Sequence, residues 1–185
     1  MPSPFRPATD LLIQYARYHR DPRNIHTHFI GIPMIVFAIG VLLARPVLGV
    51  ATTPLGALAI TPAVLLWVLS TAWYLTRGQT ALGVAVSVVN GLLIALAAPL
   101  AAGSTGAWLG WGLGTFFVGW LFQFVGHYYE GRKPAFVDDL VGLLVGPQFV
   151  VAEVLFMVGA FGSLKATIEQ AAGPTRLRDL TAPAA

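Results

Sequence analysis

Residues 107–131, AWLGWGLGTFFVGWLFQFVGHYYEG, decide the architecture. The first part, residues 107–126, contains no Asp, Glu, Lys or Arg. Its length matches the roughly 20 apolar residues that a helix needs to cross a bilayer. Gly110, Gly114 and Gly119 are spaced for close helix contact, which matters in lipid because packing rather than the hydrophobic effect joins helices there. At its end Gln123, His127 and Glu130 stand at i, i+4 and i+7 and share one helix face. Gly131 then offers a helix stop.

Working outward, three more stretches have the length and apolarity of a span: residues 25–44, 58–76 and 81–102. The second carries Trp73 and Tyr74, which suit a membrane interface, and the third carries Asn90. Residues 140–164 are apolar but hold Pro147, Gln148 and Glu153. They are read as a fifth, broken span that packs against protein rather than lipid, since a proline breaks the hydrogen-bond ladder. Before the first span, residues 10–20 read as a short interfacial helix with Leu11, Leu12, Tyr15 and Tyr18 toward the membrane. The expected fold is therefore all-α, a polytopic transmembrane bundle of four to five spans. Residues 1–165 form one membrane-embedded domain, and 166–185 form a polar, mobile tail.

Composition agrees. The chain has 185 residues, 56% hydrophobic and 10% charged, against about 25% charged in an ordinary soluble domain. So few charges do not cover a water-soluble protein, and they exclude a disordered chain. A net charge of +3 without a basic run argues against nucleic acid as partner. No cysteine is present, so thiolate metal sites and cysteine nucleophiles are excluded. The polar segment ahead of the first apolar run is not that of a cleaved signal. Arg6, Arg17, Arg20, Arg23, Arg77, Arg132 and Lys133 fall on one side of the first four spans and only Arg45 on the other. This places the N-terminus in the cytoplasm.

All four histidines lie near span ends. His19, His26 and His28 precede the first span and His127 follows the fourth. An even number of spans puts both groups on one membrane face. On one unbroken helix His19 and His28 would lie about half a turn apart. The segment Asp21-Pro22-Arg23-Asn24 breaks the chain between them, with Asn24 a good N-cap for the next helix. His26 and His28 face different ways, so at most one points inward. Imidazole with carboxylate and no thiolate suits iron, zinc or manganese. An acidic residue such as Glu153 inside an apolar segment is costly and points to function. The ordinary readings are interfacial solvation for each histidine, helix capping for Asp138 and Asp139, and interhelical hydrogen bonding for Gln123 and Asn90.

Two segments carry a resemblance. The first is Tyr15-x3-His19-x4-Asn24-x3-His28-x2-Gly31-x-Pro33, and the second is Gln123-x2-Gly126-His127-x2-Glu130-x3-Pro134-Ala135. In this order they resemble the membrane family that includes the fungal 2-hydroxy fatty acid dioxygenase of fatty-acid alpha-oxidation. The resemblance covers about residues 10–160. It implies an iron(II)-dependent oxidoreductase of lipid metabolism. Such an enzyme converts a 2-hydroxy fatty acid and O2 to the fatty acid one carbon shorter. Carried over by position, His19, His28, His127 and Glu130 are the metal and catalytic candidates. Asn24, Gln123 and Glu153 are substrate-binding or supporting candidates, and His26 is not a motif position. Partners are then a 2-hydroxy fatty acid, O2 and the lipid bilayer. Two other readings stand beside this one. One is another metal-dependent lipid enzyme, although a histidine-box hydroxylase would need far more than four histidines. The other is a non-enzymatic transporter or scaffold. The Ala-, Gly- and Arg-rich composition points to a bacterial inner membrane; a eukaryotic member would sit in the endoplasmic reticulum.

Overall fold

The computed structural model describes residues 5–54, 56–134 and 141–181. Ala135, Asp138 and Asp139 lie outside the described residues. The elements in order are α1 (Ala8–Ala16), α2 (Pro22–Leu43), β1 (Gly49–Thr53), β2 (Gly56–Ile60), α3 (Pro62–Leu75), α4 (Thr80–Ala97), a 3-10 turn (Ala98–Ala102), α5 (Thr105–Glu130), α6 (Gly142–Met157) and α7 (Gly162–Ala172).

Three helices are long and apolar enough to cross a membrane: α2, α4 with its 3-10 extension, and α5. The bent pair α6–α7 makes a fourth if counted as one broken span, with an angle of 116° between its arms. The expected span at 58–76 is different. Pro62 takes the first helical position, where its missing N–H is not needed, so α3 starts there with Thr61 as N-cap and runs for 14 residues, about 21 Å. Leu58 belongs instead to β2, which pairs antiparallel with β1 from Gly49↔Ile60 to Thr53↔Gly56. This hairpin corrects the all-α expectation. Its strands carry Val50, Thr52, Thr53 and Ile60, β-branched residues that fit a strand better than a helix.

The helices pack around an antiparallel α2–α5 pair, and glycine sets its spacing. A Cβ on Gly31 would lie 2.7 Å from the carbonyl oxygen of Gly119, and one on Gly119 would lie 2.9 Å from that of Gly31. Gly126 faces Asn24, Thr27 and His28, and Gly112 faces Val41 and Leu42. Gly112, Gly119 and Gly126 recur at seven-residue intervals, which keeps them on one face of a helix. Gly110 and Gly114, expected at this contact, meet nothing within 4 Å. At the far end the indole Nε1 of Trp108 donates to the Val41 carbonyl at 2.7 Å.

Two other expectations change because protein covers the residues. The apolar side of α1 does not lie along a membrane surface. Leu11, Leu12, Tyr15 and Ala16 are buried in the core with Phe149, Phe156, Leu164 and Ile168 of α6 and α7. Tyr74 is not an interface anchor. It is 1% exposed, and its hydroxyl donates to the Leu144 carbonyl at 2.8 Å. In α6, Pro147 sits inside the helix and residues 148–152 are buried, as the proline required.

Candidate metal centre

Each histidine arrives by a separate local device. α1 ends at Ala16, and His19 follows in the short connection to α2. The Asp21 side chain caps α2, accepting from the Arg23 amide at 2.9 Å, and Pro22 fills the first helical position. Asn24, expected as the cap, stands one turn inside the helix. His28 is one turn further along. His127 lies in the last turn of α5, which Gly131 ends in the left-handed conformation at φ 70°. Because α2 and α5 are antiparallel, the start of one meets the end of the other.

The three rings converge. Their centroids are 4.5 Å apart for His19–His28, 4.9 Å for His19–His127 and 5.2 Å for His28–His127. One ring nitrogen from each lies within 4.8 Å of the others, and all three residues are buried. His26 is exposed and packs edge-on to Phe29 instead.

The protonation pattern follows from the hydrogen bonds. Nδ1 of His19 is 2.7 Å from the Tyr15 carbonyl, and Nδ1 of His28 is 2.9 Å from the Asn24 carbonyl. A carbonyl only accepts, so both Nδ1 atoms carry the proton. The two Nε2 atoms then face each other at 3.0 Å. In the neutral rings both present lone pairs. Burial, with His28 and His127 beside it, pushes the His19 imidazole well below the ordinary histidine range, which favours the neutral form. Two lone pairs at that separation repel unless a cation lies between them. Neutral imidazoles oriented by carbonyls through the other nitrogen are the usual donor set of a bound transition metal. The residues present therefore fit a metal such as iron(II), with three imidazoles as its protein ligands.

Glu130 lies outside this group. Its carboxylate accepts from the Arg20 amide at 3.0 Å to each oxygen, from the Asp21 amide at 2.9 Å and from Asn24 Nδ2 at 3.0 Å. It thus clamps the His19–Asn24 connection onto the end of α5. Asn24 also donates to the Tyr18 carbonyl at 3.1 Å. A second clamp comes from the C-terminal segment, whose described part to Thr181 is docked. The Arg176 amide donates to the Arg20 carbonyl at 2.9 Å, and the Arg178 amide to Asp21 Oδ2 at 2.8 Å. Arg20 and Arg23 donate back to the carbonyls of Gly173 and Arg178 at 2.7 and 3.0 Å.

Gln123 is buried beside the histidines, and its Nε2 has no partner among the described residues. Together with His28 and His127 it lines a cavity of about 210 Å³ between α2, α5 and the start of α6. Glu153 is elsewhere, in a small polar recess with Arg20, Lys165 and Glu169. It faces the back of Arg20 rather than the histidines.

Sequence reasoning turned Tyr15 toward the membrane and gave it no role at the site. It stacks on His19 with centroids 4.1 Å apart and planes at 5°, supplies the carbonyl to Nδ1, and lines the same cavity. Its signal was present: Tyr15 opens the motif Tyr15-x3-His19.

A buried cluster of three histidines between apolar helices defines a class, membrane-embedded helical proteins whose imidazoles could hold a metal ion. Residues 5–158 match the family described as 2-hydroxy-palmitic acid dioxygenase Mpo1-like. The chain belongs to this family. It is 34% identical over 157 residues to the 2-hydroxy-palmitic acid dioxygenase MPO1 of Saccharomyces cerevisiae, covering 84% of this chain and 83% of that one. No solved structure matches.

Proposed function

We propose that the chain is an iron(II)-dependent dioxygenase of the membrane, acting on a 2-hydroxy fatty acid. It takes up one O2 and releases the fatty acid one carbon shorter. The stoichiometry closes with the lost carbon leaving as carbon dioxide together with one water. The observation that carries this reading is the pair of Nε2 atoms at 3.0 Å whose Nδ1 partners are both fixed by carbonyls. Family membership supplies the reaction class.

His19, His28 and His127 hold the iron. Iron(II) held there would supply the redox chemistry by which O2 oxidises a 2-hydroxy carboxylate. Glu130 and Asn24 act by positioning, since their contacts fix the connection that carries His19. Gln123 offers its free amide N–H groups to the oxygens of the substrate head, and the Tyr15 hydroxyl faces the same space. The apolar walls exclude water and receive the hydrocarbon tail. Glu153 steadies Arg20, which in turn bonds the carbonyls of Ala16 and His19 at 2.8 and 3.0 Å.

The site faces the cytoplasm. Ten of the eleven basic residues lie at the histidine end of the bundle and only Arg45 at the other. The C-terminal Lys165, Arg176 and Arg178 join the others there, through the Arg20 recess and the docked segment. Such a bias sets the positive end inside.

The test is iron content of protein purified without oxygen, for wild type and for His19→Ala, His28→Ala, His127→Ala and His26→Ala. Wild type and His26→Ala are expected to hold near-stoichiometric iron and to consume O2 with 2-hydroxypalmitate, and the other three to do neither. A well-folded wild type that takes up no iron after reconstitution overturns the reading. Zinc in its place would mean a hydrolase.

A further inference from the structure

We propose that the cavity beside the histidines is an acyl slot, and that Ile39 and Phe116 at its closed end gauge the length of the chain it accepts. The inference rests on the fatty-acid reading above and adds the residues that set specificity.

The lining has a direction. From α2 it is built by His28, Ile32, Val36 and Ile39. From α5 it is built by His127, Gln123, Trp120 and Phe116. Each set follows one helix face at intervals of three and four residues. The helices are antiparallel, so both runs start at the metal ligands and end together at Ile39 and Phe116. His28 to Ile39 is eleven residues, about 16 Å along the axis. All polar side chains of the lining lie at the histidine end: the two histidines, Gln123 and Tyr15. Beyond Gln123 only hydrocarbon and the Trp120 and Phe116 rings remain. This one-headed polarity matches an amphiphile with a single polar end. A volume of about 210 Å³ spread over three helical turns is narrow and suits an unbranched chain rather than a ring system.

The slot closes at a defined place. In the turn past Ile39 and Phe116, Leu42 packs on Gly112, where an added Cβ would lie 2.7 Å from its Cγ. The Trp108 indole is tied to the Val41 carbonyl at 2.7 Å. The two helices are locked together there, so a chain anchored at the histidines ends against the Ile39 and Phe116 side chains. Near the head the slot is covered by Leu143, Gly146 and Pro147 of α6.

The experiment uses iron-loaded protein in nanodiscs. Binding of straight-chain saturated acids from decanoate to eicosanoate is measured without oxygen by displacement of a fluorescent fatty acid. O2 consumption is then measured with the matching 2-hydroxy acids. The variants are Ile39→Trp, Ile39→Ala and Phe116→Ala, each checked for wild-type iron content. Ile39→Trp is expected to move the optimum to shorter acids, and the two alanine variants to longer ones. The swing between longer and shorter acids should be roughly tenfold, the worth of about two buried methylenes. If the wild type binds and oxidises the acids but none of the iron-replete variants moves the length profile, the slot assignment is overturned and the dioxygenase reading stands. If iron-loaded wild type neither binds nor consumes any acid, both fall. Should Ile39→Trp lose iron through misfolding, the alanine variants decide the matter alone.

Discussion

The two ends of the bundle are built on opposite principles. At the histidine end, His19, Asp21, Asn24, His28, Gln123 and His127 are all buried polar side chains, crossed by hydrogen bonds from α1, α2, α5 and the C-terminal segment. At the hairpin end lies the larger cavity, about 710 Å³, lined by Trp67, Leu92, Ile94 and a row of alanines. Its single charged residue, Arg45, is spent on the carbonyls of Ala101 and Gly103 at 2.6 Å each and lies over the Trp108 ring. The bigger space has no titratable group free to act. Chemistry is located by unspent donors and acceptors, and volume is a poor guide to it.

The sharpest break of this contrast is removal of any one of the three ligands. Each alanine variant should lose iron, whereas Arg45→Ala at the other end should keep full iron content, both read by metal analysis of the same preparations. Next comes Gly126→Ala. The new Cβ would press on Asn24 and Thr27 and lie 3.2 Å from His28 Nδ1. Overpacking of this kind costs about 1–3 kcal/mol, and here it also displaces a ligand, so both thermal stability and iron retention should fall. Gly114→Ala, on open surface, should change neither. Glu130→Ala strands two backbone amides and the Asn24 side chain; iron affinity should drop by about 10–100-fold, the usual effect of losing a group that orients a ligand. An unchanged affinity would show that the His19 connection holds its shape without the carboxylate. The smallest effect is that of Arg45→Ala on stability, about 1 kcal/mol for its hydrogen bonds, seen as a slightly lower midpoint in thermal unfolding.

Much of this was legible in the sequence. The long apolar helices α2, α4 and α5 follow from composition alone, and α5 does return to the start of α2, although α3, one of the four crossings expected, is only 14 residues long. Histidine spacing, with the Asp-Pro break, allowed His19 to fold back toward His28, and the resemblance separated His28 from His26. Other features depend on tertiary neighbours that no local pattern encodes. The contact face of α5 uses Gly112, Gly119 and Gly126, but several other glycines give the same helix equally plausible small-residue faces. Tyr74 looks like an interface residue until α6 is laid over it. Pro62 cut the second expected span short, and its local rule was available: a proline opens a helix more readily than it sits inside one. Glu130 shared a face with His127 as expected from its spacing, yet the amides of Arg20 and Asp21 reach it from more than a hundred residues away in sequence.

Tyr15 touches the two halves of the site at once. Its carbonyl and ring hold His19, and its side chain forms a wall of the slot. On the proposed function, metal and fatty acid would share a residue, and their binding free energies would be linked through any movement of it. If the acid shifts Tyr15 toward or away from His19, it changes iron affinity by some factor. Iron must then change affinity for the acid by that same factor. A fatty acid would then be an effector of metal binding as well as the substrate.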